Sequence, residues 1–209
     1  MNKKIIIPFI VIIISAIAIF LIPENSSMPT SDNLYQYGFT FYDVEKIKLS
    51  LSEQNIFMST PTPVTDHTIK NYCAIRDEIL SSINYCTTTA IQGSDGRSLG
   101  NISMGGVPDN PIMAIAFIES SPSLDSKSNE VEIIFETMIE TLVCDCWNDK
   151  QPGGFESVNA WIDTAKIKYA ESSQTIPLKS TITGLSDETL ILEINYKNDS
   201  YLWTLIVLK

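Results

Sequence analysis

Residues 129–147 read NEVEIIFETMIETLVCDCW, and the spacing of their apolar side chains decides the fold class. Val131, Ile134, Phe135, Met138, Ile139, Leu142, Val143 and Cys146 recur at three and four residues, the period that gathers side chains into one wide stripe of an α-helix. Glu132, Glu136 and Glu140 recur every four residues on another face, the pattern of a solvated helix surface rather than of an acidic catalytic or calcium-binding row. The stripe predicts a helix over residues 129–147. Gln151-Pro152-Gly153-Gly154 then breaks it, because proline and glycine interrupt a helical ladder. A second helix follows, with Val158, Trp161, Ile162, Ala165 and Tyr169 on one face and Lys166 and Lys168 near its end, where the helix dipole favours cations.

Outward from this pair, the punctuation is that of strands. Residues 84–92 and 97–104 flank Gly93-Ser94-Asp95-Gly96, a turn sequence that predicts a β-hairpin. Gly105-Gly106 and Asp109-Asn110-Pro111 close it off as turns. Residues 112–118 are apolar at every position, so they should form a central strand covered on both faces. After the helices, residues 178–183 alternate, and Leu190, Leu192, Ile194 and Tyr196 alternate against Glu193, Asn195 and Lys197. Asn198-Asp199 turns the chain into residues 201–208, again apolar on both faces and again central. Strands, two helices and more strands predict an α+β domain, an antiparallel sheet with two adjacent helices packed on one face.

The N-terminal part is less regular. Leu34, Tyr35, Tyr37, Phe39 and Phe41 alternate with Gln36, Gly38 and Thr40, a short strand or an extended segment packed on the domain. Asp43 is placed to N-cap a helix in which Val44, Ile47 and Leu51 share a face. Thr60-Pro61-Thr62-Pro63 ends it. Residues 71–91 give conflicting signals: Ile75, Ile79 and Leu80 fit helical spacing, while Thr87, Thr88 and Thr89 favour strand.

Ahead of all this, Lys3 and Lys4 precede residues 5–22, an uncharged run of eighteen residues long enough to cross a bilayer core as a transmembrane helix. Basic residues are absent between 23 and 45, so the charge bias predicts an inside N-terminus and an outside domain. Ala16-Ile17-Ala18 resembles a signal-peptide cleavage site, but Ile19, Phe20, Leu21 and Ile22 continue the apolar run past it, unlike a signal peptide. Either reading exports the rest. The expected organisation is a membrane anchor or signal peptide at 1–23, a Ser- and Pro-rich stalk at 24–40, and a single extracytoplasmic domain at 41–209 whose expected partner is the lipid bilayer at 5–22.

Charge narrows the partners further. Removing Lys3 and Lys4 from the 14 basic residues leaves 12 against 25 acidic ones, a net charge of −13 for the exported part. A surface of that sign repels nucleic acid, whose phosphates need clustered Lys and Arg, and keeps an exported domain soluble.

Four cysteines, Cys73, Cys86, Cys144 and Cys146, allow three fully paired disulfide connectivities in an oxidising compartment. In an unbroken helix Cys144 and Cys146 lie about 200° apart, so pairing with each other would need local unwinding. That leaves two connectivities joining this helix end to the 73–86 region, or a Cys73–Cys86 bond alone. A sharper alternative makes Cys144 and Cys146 soft ligands, with His67 and Met104 or Met113, for copper or zinc. The third class, an enzyme, has little to work with. Asn101-Ile102-Ser103-Met104-Gly105 lacks the first glycine of a nucleophile turn, and His67, Asp77 and Ser103 are flanked by nothing that supports a protease order. Three Asn-x-Ser sequons, at Asn25, Asn101 and Asn198, are glycosylation candidates in an exported chain.

Cys144-Asp145-Cys146-Trp147, with Leu99-Gly100-Asn101 and Tyr201-Leu202-Trp203-Thr204-Leu205, resembles uncharacterised single-span archaeal surface proteins with an exported α+β domain. The resemblance implies an outward-facing membrane protein and carries over no catalytic residue. The sequence therefore points to a membrane-anchored extracytoplasmic domain with a binding or structural role at the cell surface. Its alternative is a metal-handling (copper or zinc) or thiol-redox protein using Cys144 and Cys146.

Overall fold

The computed structural model of the chain describes residues 38–65, 67–73, 81–172, 174 and 176–209. The apolar run at 5–22, Asn25 and Asp77 lie outside them. Among the described residues no helix is long and apolar enough to cross a membrane. Residues 38–209 form one compact unit.

Its centre is an antiparallel sheet made of two three-stranded meanders. The first runs through β3 (Tyr85–Gln92), β4 (Ser98–Val107) and β5 (Asn110–Ser120), and the second through β6 (Leu178–Leu185), β7 (Glu188–Lys197) and β8 (Ser200–Leu208). They join where β5 pairs with β8, Ile115 opposite Ile206 and Ala116 opposite Leu205. Two short strands, β1 (Phe57–Met58) and β2 (Thr62–Pro63), both pair with β3 at the outer edge, giving the order β1-β3-β4-β5-β8-β7-β6 with β2 off this path. The two segments expected to be central, 112–118 and 201–208, are the two middle strands, and their unbroken apolar runs serve cores on both faces. Asn198 and Asp199 turn the second hairpin at φ 54° and 62°, the left-handed pair that matches the twist of a two-residue hairpin.

Three helices cover one face. Helix α1 (Asp43–Glu53) buries Val44, Ile47 and Leu51, α3 (Ser128–Leu142) buries Val131, Ile134, Phe135, Met138, Ile139 and Leu142, and α5 (Val158–Glu171) buries Val158, Trp161, Ile162, Ala165 and Tyr169. Two adjacent helices were expected on this face, and α3 lies beside α1 as well as α5. They share a core with Trp203, Leu205 and Val207 of β8, and each such buried side chain stabilises by about 1.5–3 kcal/mol. Asp43 is the first helical residue rather than the cap, and its carboxylate accepts hydrogen bonds from the Thr40 amide at 2.6 Å and the Thr40 hydroxyl at 3.0 Å.

The other face of the sheet carries a second, smaller core among the described residues. There the segment carrying α2 (Ile69–Tyr72) packs Ile69, Cys73 and Ile83 against Met113, Ile115 and Ile206. Gly105 and Gly106, expected in a turn, lie inside β4 at a register shift against β5. Packing is close there: a Cβ on Gly105 would sit 3.0 Å from the Cys73 Cβ, and one on Gly106 would meet the Asn110 carbonyl at 2.5 Å.

Residues 38–41 form no strand; Phe39 is instead buried as part of the helix-side core. Lys209 holds it there. The Lys209 ammonium donates to the Phe39 carbonyl at 2.6 Å and to Asn110 Oδ1 at 2.9 Å, and lies 4.7 Å from the Phe39 ring centroid.

Candidate functional site

Helix α3 stops at Leu142 although its apolar stripe runs on to Cys146. Val143 is the C-cap, at φ −114° and ψ −74°, and the amides of Val143 and Cys144 both reach the Ile139 carbonyl, at 2.9 and 3.2 Å. With the ladder ended before the first cysteine, the two sulfurs turn toward each other and Cys144 bonds to Cys146, Cα to Cα 5.1 Å. A new short helix, α4 (Trp147–Lys150), begins directly after. The expectation that these two cysteines could not pair is corrected: the unwinding that their bond requires is present, and the two connectivities linking them to the 73–86 region do not occur.

At this break a cavity of about 30 Å³ opens between α3 and the start of α5, room for roughly two waters. It is lined by Glu136, Ile139 and Glu140 of α3, by Cys144, Asp145, Trp147 and Asn148 of the connector, and by Ser157 and Val158. Ser157 caps α5, its hydroxyl accepting from the Ala160 amide at 3.0 Å. The Trp147 indole N–H donates to the Phe155 carbonyl at 3.1 Å, and its ring lies 5.8 Å from that of Trp161. The floor of the site is therefore fixed by packing, while Cys144 and Cys146 are only partly covered.

Three carboxylates and no base line this cavity. Burial, then the charges of Glu136 and Asp145, push the Glu140 carboxyl above its usual range. Glu132, two turns earlier, is pushed up by burial and then by Asp163. Glu132 and Glu140 are thus partly desolvated where α3 meets its neighbours. This is an environment that disfavours additional negative charge.

The other candidates are scattered. Cys73 and Cys86 form a second disulfide, Cα to Cα 6.2 Å, with both residues at 0% exposure inside the back-face cluster. His67 is exposed in the turn before α2. Met104 is buried with the helix-side core and Met113 with the opposite cluster, so the sheet itself separates them. Among the described residues no group of three or more His, Cys, Asp or Glu is arranged to hold a metal ion. Ser103 sits within β4, its hydroxyl donating to Thr88 Oγ1 at 2.9 Å and accepting from Asn101 Nδ2 at 3.0 Å. These bonds place it in a ladder of hydroxyls and an amide, with no histidine partner. The same ladder engages the Asn101 sequon, which is half-buried in an inner strand, whereas Asn198 is exposed at a hairpin tip.

Sequence reasoning named Cys144, which lines the cavity, and its partner Cys146, but missed Asp145, Asn148 and Ser157 as walls. The readable signal was the short spacing from Cys146 to the Gln151-Pro152-Gly153-Gly154 turn, which folds the start of α5 back onto the end of α3. No family model, no curated protein and no solved structure matches this chain.

Proposed function

We propose that the chain is an extracytoplasmic domain, held to the membrane by residues 5–22, with a binding or structural role at the cell surface. The observation that carries this reading is that all four cysteines are paired, because such bonds form and persist in oxidising compartments. The acidic surface and the uncharged run behind Lys3 and Lys4 support the same placement. Surface proteolysis of intact cells tests it: the domain is expected to be digested from outside, with the uncleaved chain in the membrane fraction. Full protection from protease, or free thiols alkylated without reductant, would sink export. Loss from the membrane fraction alone would instead indicate cleavage after Ala18.

A thiol-redox role at Cys144 and Cys146 is favoured by one specific observation, their partial exposure beside the cavity. For a copper or zinc site, by contrast, the sulfurs are engaged with each other and His67 stands apart from them on the chain's back-face segment.

A further inference from the structure

We propose that Cys144–Cys146 is a thiol–disulfide exchange site that accepts the electron pair of a dithiol carried on a positively charged partner segment. The inference rests on export for its supply of oxidised protein, but its chemistry belongs to the purified chain.

Three observations carry it. The bond joins no two elements: both sulfurs belong to the single connector between α3 and α4, so opening it releases no strand or helix from the core. Both cysteines are partly exposed and Cys144 lines the cavity, which gives an incoming sulfur room to approach, as exchange requires. Glu136, Glu140 and Asp145 stand around that approach without a lining base. An attacking thiolate is an anion and is repelled by these carboxylates unless its own flanks carry compensating cations. The site therefore selects partners by charge.

In the exchange, one partner thiolate attacks a sulfur of the pair. The S–S bond breaks, its electrons pass to the other cysteine, and that sulfur takes a proton. A mixed disulfide joins the partner to the chain. The partner's second thiolate then attacks the partner's own bonded sulfur, forming the partner disulfide and releasing the remaining cysteine, which takes the second proton. The partner loses two electrons and two protons, and Cys144 and Cys146 gain both as thiols.

The experiment uses the full-length chain in neutral detergent and two synthetic dithiol peptides, one flanked by lysines and one by glutamates. Reduction of each disulfide is followed separately by acid quenching, alkylation and mass spectrometry, with rates compared per thiolate. At low salt the lysine peptide is expected to reduce Cys144–Cys146 about tenfold faster than the glutamate peptide. That ratio should shrink toward one at about 0.5 M salt, where charges are screened within a few ångströms. The Glu136→Gln, Asp145→Asn double variant should lose most of the preference while its Cys73–Cys86 bond stays closed. A Cys144→Ser, Cys146→Ser double variant should oxidise neither peptide above background. Equal rates for the two peptides in the unaltered chain, or resistance of Cys144–Cys146 to both, would overturn the proposal and leave the export reading untouched.

Discussion

Cys73–Cys86 joins the end of α2 to β3 across a separation of 13 residues, whereas Cys144–Cys146 spans a separation of two inside one connector. The first is sealed at 0% exposure within the back-face cluster; the second is partly open beside three carboxylates. Chain entropy makes the difference quantitative. Closing the longer loop constrains the unfolded chain by about 3 kcal/mol and closing the shorter one by roughly half of that. Position adds to it, since the buried bond holds a whole covering segment on the sheet and the open bond holds only its own turn. A disulfide that organises a face and one that merely bridges neighbours are different devices, although the sequence writes both as a pair of cysteines.

The comparison breaks or sharpens on four variants. The Cys73→Ser, Cys86→Ser double variant is expected to lose about 3 kcal/mol or more, read as a lowered urea midpoint. If it matched the Cys144→Ser, Cys146→Ser variant, burial and loop length would not be what separates the two bonds. Next in size, Gly105→Ala forces a methyl group to within 3.0 Å of the Cys73 Cβ and should cost about 1–3 kcal/mol as overpacking. Its cost should shrink when Cys73 is freed from its bond, and an unchanged cost in that background would show that the strain lies in the β4 backbone instead. The Cys144→Ser, Cys146→Ser variant comes third, with a loss of about 1 kcal/mol in thermal unfolding. A larger loss would make this bond structural after all.

The smallest effect is a gain. Because the Glu140 carboxyl is raised in the folded chain, first by burial and then by Glu136 and Asp145, its ionisation opposes folding. That penalty is absent below the unfolded pKa, grows as pH rises toward the folded one, and is complete above it. Glu140→Gln should therefore stabilise by a few tenths of a kcal/mol at neutral pH, given how exposed the group is. The gain should vanish in acid, as measured by urea titration at both pH values.

How much of this was legible followed from where the determining force acts. The 3.6-residue stripes of α3 and α5 and the doubly apolar runs of β5 and β8 report burial directly, so elements and central strands could be read from residue type alone. The end of α3 could not be read so easily. Val143 and Cys146 keep the helical period, but a covalent bond between residues 144 and 146 is incompatible with the helix that this period implies, and hydrophobic spacing carries no record of it. Strands β1 and β2, of two residues each, are too short to show any period. The back-face cluster draws on Ile69, Cys73 and Ile83, three residues whose spacing in the sequence matches neither a helical nor a strand period. Gly105 and Gly106 look like a turn because glycine marks both turns and close packing, and only the neighbours tell which applies.

The hold of Lys209 on Phe39 brings residue 39 beside residue 209. A short linker from 209 to 38 would then close the backbone into a ring without disturbing the sheet, and the exposed Asn198-Asp199 tip offers a place to reopen it. Such a circular permutant would start on β8, the innermost strand of the second meander, and end on β7, its pairing neighbour, so the same sheet would be built with its chain order rewritten.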